Sequence, residues 1–396
     1  MFGWSNKKKK DQKILQKKVF HVVPRNKSGV RVQKPFDVYL FFTTLLLLLV
    51  GVIMIFSASA IFSEANYNDT YYFLKREVVF IGLGLILLFV TKTIPYKLYL
   101  GWIYPILGLT LFCMLLTFVP GLSHAAKGAT RWISLFGFTL QPSEFAKLSV
   151  VVFTAYMISK KEDSITQFTK GILPVISIAG VFLVLILAQR DLGSVLVLSA
   201  VIFIMLFAAG ARLRFLFGLL LLISPGIYFF VFSVSFRRQR ILAFLDPWKY
   251  QQDFGYQIIQ SFLAFNSGGI TGVGLGEGKQ KLFYLPEAHT DFIFSVLGEE
   301  FGMIGVTIVA ILFLFLVFRG LKIALKTNDT FGMMLALGLT CLLGLEAFIN
   351  FGVVMGLLPT KGLALPFISY GGSSLLASML AIGIILNVST HTGEEL

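Results

Sequence analysis

From Tyr39 onward the chain alternates between long apolar runs and short polar stretches, and the run over residues 41–56 holds no charged residue at all. A membrane-crossing helix needs about 20 mostly apolar residues. Stretches of that kind lie near 38–62, 77–94, 98–119, 142–160, 171–189, 192–210, 215–235, 297–319, 331–352 and 372–388. The pattern therefore predicts an all-α polytopic membrane protein of about ten transmembrane helices. An even count puts both ends on one side. One connection stands out, a large loop over 236–291 between predicted helices 7 and 8, and long connections in compact domains are usually functional. The remaining loops, including 63–76 and 120–141, are short or middling.

Composition agrees with lipid as the main solvent. The chain of 396 residues is 56% hydrophobic and only 14% charged, where ordinary globular proteins carry roughly 25% charged residues. A water-soluble enzyme and a disordered protein are excluded. The formal charge of +14 is concentrated at one end, because residues 1–36 hold eleven Lys and Arg against the single acid Asp11. A basic segment ahead of the first span fixes a cytoplasmic N-terminus and favours anionic headgroups. Nucleic acid is not the expected partner. Lys92 and Lys97, Lys160, Lys161 and Lys170, Arg212 and Arg214, and Arg319, Lys322 and Lys326 fall on the same side in this topology. The organisation is thus a basic cytoplasmic tail over 1–36, a transmembrane domain over 37–388 and a cytoplasmic tail over 389–396. The first apolar run lacks a convincing cleavage site and is expected to remain as an anchor. Cys113 and Cys341 lie in apolar spans, where a thiol acts as a small hydrophobe.

Four places carry candidate chemistry. The glycines of 272–278 invite a phosphate reading, but the Walker and dinucleotide fingerprints do not fit, so a flexible loop is the plainer expectation. Asp291 ends the long loop at the mouth of the next span. It is either a helix-capping carboxylate or a general base whose partial desolvation raises its pKa toward working pH. Glu144 and Lys147 stand three residues apart on one helix face and can pair; Arg131 and Trp132 nearby supply a cation and an aromatic platform. Glu299, Glu300, Glu346 and Asn350 are polar groups inside spans, which mark either a transport path or interhelical glue, with Gly298, Gly302, Gly352 and Gly356 as possible helix breaks.

The run from Asn350 to Ser374, with Pro359-Thr360-Lys361-Gly362-Leu363 and Ile368-Ser369-Tyr370-Gly371-Gly372, closely resembles the signature of the SEDS family (shape, elongation, division and sporulation proteins). Pro286-Glu287-Ala288-His289-Thr290-Asp291, Gly128-Ala129-Thr130-Arg131-Trp132 and Gln141-Pro142-Ser143-Glu144 resemble the same family. Pro359 to Leu363 and Glu287 to His289 are most similar to its cell-division members, with the spore-cortex members close. The resemblance implies a peptidoglycan glycosyltransferase that polymerises lipid II at the outer leaflet of the bacterial cytoplasmic membrane. It implies Asp291 as the catalytic residue and Glu144 with Lys147 as an essential pair; Arg131, Trp132, His289, Lys361 and Ser369 are the further substrate-binding candidates. It also implies a class B penicillin-binding protein and other division proteins as partners. Two positions depart from the family pattern: Arg190 stands where proline is usual, and Glu346 where an amide such as glutamine is more common.

The expected reaction is a single inverting displacement, with Asp291 taking the proton of the acceptor 4-hydroxyl. Arg131, Lys147, Lys361 or Arg190 would meet the pyrophosphate charge, and the chemistry leaves room for a divalent cation, magnesium or manganese. A lipid flippase and a non-catalytic division scaffold are the alternatives.

Overall fold

The computed structural model describes residues 35–121, 123–126, 129–135, 138–219, 221–222, 235–252 and 255–391. Residues 1–34 of the basic tail, residues 220 and 223–234 of the seventh expected span and the last five residues of the chain lie outside them.

Nine of the ten expected spans coincide with helices. These are α1 (Val38–Tyr67), α2 (Tyr72–Thr93), α3 (Tyr99–Leu116), α4 (Pro142–Lys160), α5 (Leu173–Ala188) and α6 (Leu192–Ala208), then, after the long connection, α9 (Ile293–Lys326), α10 (Thr330–Val354) and α11 (Gly372–Ser389). Among the described residues, six helical stretches are long and apolar enough to cross a membrane. The centre of the bundle is read from burial: α11 is 78% and α10 61% buried, against 17% for the stretch Tyr96–Leu116. The polar and small residues of α10 and α11 follow from that position, since a helix enclosed by others gains from close packing rather than from apolarity.

Several helix starts are written locally. Asp37 caps α1 by accepting from the Leu40 N–H at 2.9 Å, Asp191 caps α6 through Ser194, and Asp329 caps α10 through Gly332. Pro142 opens α4 at its first position, where its missing N–H costs nothing. At the end where α1 begins, Arg319 pairs with Asp37, Asn387 joins Tyr96 and Lys92, and Tyr96 bonds Asp329. These contacts tie α1, α9, α10, α11 and the α2–α3 turn together.

Three connections differ from the expected loops. Residues 63–76 are mostly helix, because α1 runs on to Tyr67 and ends in a left-handed Asn68. The segment 120–141 folds into an antiparallel sheet of β1 (Ser123–Ala126), β2 (Ala129–Leu135) and β3 (Phe138–Leu140), with Ser123 opposite Ile133 and Ile133 opposite Leu140. The long connection holds α7 (Ser235–Leu245) and α8 (Tyr256–Gly268).

Its glycine-rich stretch is pinned rather than flexible. Helix α9 breaks at Gly302, whose φ of 62° and ψ of −162° lie outside helical space. Residues 269–274 splice the break: the N–H groups of Val273 and Gly274 donate to the carbonyls of Glu299 and Glu300 at 3.0 and 3.1 Å, while Met303 and Ile304 donate to Gly269 and Ile270. Backbone groups freed by a break in a span need such partners. The amides of Val273 and Gly274 are therefore spent, which removes them from the phosphate reading.

Candidate active site

Asp291 sits one residue ahead of Phe292, the cap position of α9, so the simple capping role does not describe it. The residue is partly exposed. Its position is fixed through the main chain, because Asn350 Nδ2 on α10 donates to the Asp291 carbonyl at 2.9 Å and to the Leu363 carbonyl at 2.7 Å. Its carboxylate lies against Gly362, where an added Cβ would come within 2.5 Å of Oδ2. Only glycine leaves that space.

Ser369 and His289 frame the same turn. Ser369 Oγ donates to the Thr290 carbonyl at 2.6 Å and accepts from the Leu365 N–H at 2.8 Å, so its hydroxyl holds the loop. The His289 carbonyl accepts from the Tyr370 N–H, and its ring packs against Phe73 and Phe62 at 4.7 and 5.4 Å. Burial lowers the His289 pKa, partly opposed by the Glu287 charge.

Cations lie close by as well. Arg240, on α7, is held below the usual arginine range by burial and by the Arg131 charge, with Asp291 acting in the opposite direction. An Arg remains charged even so. Its Nη1 lies 3.5 Å from the Thr360 carbonyl. Lys361 is pushed down to about 8 by burial and by Arg240, with Asp191 opposing. Arg131, on β2, spans to the end of α5 through the Gln189 and Arg190 carbonyls. Arg190 itself has a φ of 62°, a conformation closed to proline. Trp132 follows Arg131 in β2 and is paired with His124.

Glu144 and Lys147 do form the expected ion pair, at 2.9 Å. Lys147 also bonds Glu346 on α10, 199 residues away. Four residues beyond Glu346 on the same helix comes Asn350, so one face of α10 holds both the Lys147 ammonium and the Asp291 main chain. Glu299 and Glu300 are not part of this site. Glu299 accepts from the Lys279 and Gln280 N–H groups, and Glu300 bonds Lys281 and Ser57 at 2.6 Å each. Their role is interhelical and loop anchoring.

Sequence reading brought Asp291, His289, Lys361, Ser369, Arg131, Glu144 and Lys147 to attention. Arg240 was legible only as one of three basic residues, with Arg237 and Arg238, in the long loop, and neither Gly362 nor the bracket made by Asn350 stood out. A glycine inside Pro359 to Leu363 gave the one local hint. Among the described residues no three His, Cys, Asp or Glu side chains form a metal-holding group.

Comparison with known proteins follows the same outline. A family model described as Cell cycle protein, covering FtsW, RodA and SpoVE, matches residues 38–394. The probable peptidoglycan glycosyltransferase FtsW of Geobacter metallireducens is 50% identical over 356 residues, covering 90% of this chain and 95% of that protein. Stage V sporulation protein E of Bacillus subtilis is 40% identical over 356 residues, covering 90% and 97%. A solved peptidoglycan synthase complex, described by its coordination of polymerization and crosslinking, contains a similar chain: TM-score 0.74, 30% identity, 89% of this chain and 97% of that one. The rod shape determining protein RodA of Thermus thermophilus gives a TM-score of 0.64 at 25% identity, covering 91% and 98%. With the match running from the start of α1 past the end of α11, the chain belongs to the FtsW, RodA and SpoVE family of cell cycle proteins.

Proposed function

We propose that this protein is a peptidoglycan glycosyltransferase that joins lipid II units into β-1,4 glycan strands during cell division, with Asp291 as general base. The observation that carries the reading is the Asp291 carboxylate lodged against Gly362, its carbonyl held by Asn350, with the Arg240 charge beside it. A carboxylate fixed in that way, with cationic side chains nearby, suits proton removal from a sugar hydroxyl and charge neutralisation of a pyrophosphate leaving group. The acceptor oxygen attacks the anomeric carbon as its proton passes to Asp291, and the pyrophosphate departs as an anion without needing a second acid, unlike glycoside hydrolysis.

Arg240 and Lys361 are the cations best placed for that anion. Lys147 is already shared by two carboxylates and serves to position rather than to neutralise. No step requires a resident metal.

The basic loops support an orientation in which the α1 start faces the cytoplasm and the Asp291 end faces outward. Lipid II would then be used at the outer leaflet, and a class B penicillin-binding protein would crosslink the product. The family members named FtsW favour division over sporulation in this reading, given the higher identity.

The flippase alternative looks to Glu299, Glu300 and Glu346 as carriers, yet the first two are committed to loop and helix anchoring and Glu346 is held by Lys147. The discriminating experiment supplies fluorescent lipid II to the purified protein with its transpeptidase partner and separates the products by gel. Growing chains support the polymerase; lipid II crossing vesicle membranes without chain growth would contradict it.

A further inference from the structure

Three charged side chains meet inside the bundle: Glu144, Lys147 and Glu346. Lys147 bonds both carboxylates, and the side chains are 11%, 2% and 6% exposed in that order. Two carboxylates and one ammonium leave one negative charge in excess when all three are ionised. Asp191, at the start of α6, adds a further negative charge toward Glu346, itself met by Lys361. The α11 face contributes only Ala377 and Ser378. An uncompensated charge in such a place is strongly disfavoured.

A proton or a cation must balance the site, and the space decides between them. The void beside the triad is about 10 Å³, lined otherwise by Leu148, Leu342, Leu343, Ala377 and Ser378. That is room for roughly one water. A hard cation takes about six or more oxygen ligands, and the lining adds one hydroxyl while Lys147 repels.

The two carboxyls are not equivalent. Glu144 lies in the first turn of α4, where the helix dipole favours a negative charge. Glu346 lies in the interior of α10 without that help, and it is the less exposed of the two.

We infer that Glu346 is a proton-carrying positioning residue, a neutral carboxylic acid that holds Lys147 against the ionised Glu144. This deepens the glycosyltransferase reading and rests on it for its link to activity. The face of α10 that carries Glu346 carries Asn350 one turn later, so the same helix sets Lys147 and the Asp291 carbonyl.

The test is infrared difference spectroscopy of the purified full-length protein against E346Q across a pH series, joined to polymerisation assays of E346Q and E346A. The expected difference spectrum shows loss of one protonated carboxylic acid band, separated in this way from other buried acids such as Glu77 on α2. E346Q, which mimics the neutral acid, should polymerise at least about tenfold faster than E346A, equivalent to 1.4 kcal/mol or more. An unchanged carboxylic acid band at neutral pH, or an E346Q protein that fails to fold, would overturn the inference. The spectrum is independent of turnover, so a loss of the band in a protein that makes no polymer would keep the protonation and reject the glycosyltransferase link.

Discussion

At the level of single residues, the placement of one carboxylate depends on a missing side chain. A Cβ at Gly362 would stand 2.5 Å from Asp291 Oδ2, closer than real contacts allow, so Gly362→Ala should displace the carboxylate and leave the helices in place. Misplacement of about 1 Å can cost around 100-fold in rate, and steady-state polymerisation together with thermal unfolding checks that the loss falls on turnover and not on folding. Lys361 gives a pH signature. With its pKa at about 8, it loses its proton as pH rises through that value, and its grip on an anionic leaving group goes with it. Lys361→Arg keeps its charge and should move the alkaline fall in rate at low lipid II upward; an unmoved profile would remove Lys361 from the anion site. The sign for stability is opposite: between about 8 and 10.5 the unfolded chain binds a proton that the folded one has released, so this group makes folding more favourable as pH rises across that window.

At the level of elements, the broken helix α9 and its splice act as one unit. Gly302 has a φ of 62°, and a Cβ there would meet the Gly272 nitrogen at 2.4 Å and the Ile270 carbonyl oxygen at 2.5 Å. Gly302→Ala should therefore lower stability by about 1–3 kcal/mol or more, read as a lower unfolding midpoint in detergent. The splice also explains what sequence could and could not show. The spans were legible because apolar runs of about 20 residues report their own environment, and the Glu144–Lys147 pair was legible because three residues on a helix share a face. The partner of Lys147 on α10 was not, since contact between residues 199 apart leaves no periodic trace in either helix. The stretch 272–278 read as loose because the partners of Val273 and Gly274 are the carbonyls of a break more than twenty residues later. The sheet over 123–140 was missed for a related reason, its strands being short and rich in small residues.

At the level of the whole molecule, charge is distributed along the bundle axis. One end holds the latch of Asp37 with Arg319 and of Tyr96 with Asp329, beside basic loops. The other end gathers Asp291, Arg240, Lys361 and Arg131 around the turns that follow α10 and precede α9. The central helices α10 and α11 join the two ends, and α10 supplies both Asn350 and Glu346 to the candidate site. The proposed activity thus rests on Asp291 as the group that takes the acceptor proton. The most direct measurement is glycan polymerisation from fluorescent lipid II by wild type and Asp291→Asn, each with the transpeptidase partner bound and each shown to be folded. General-base assistance contributes about 10²- to 10⁴-fold, so the account predicts long chains from wild type and a rate at least about 100-fold lower from the variant. Chains of equal length at equal rate from both would contradict it.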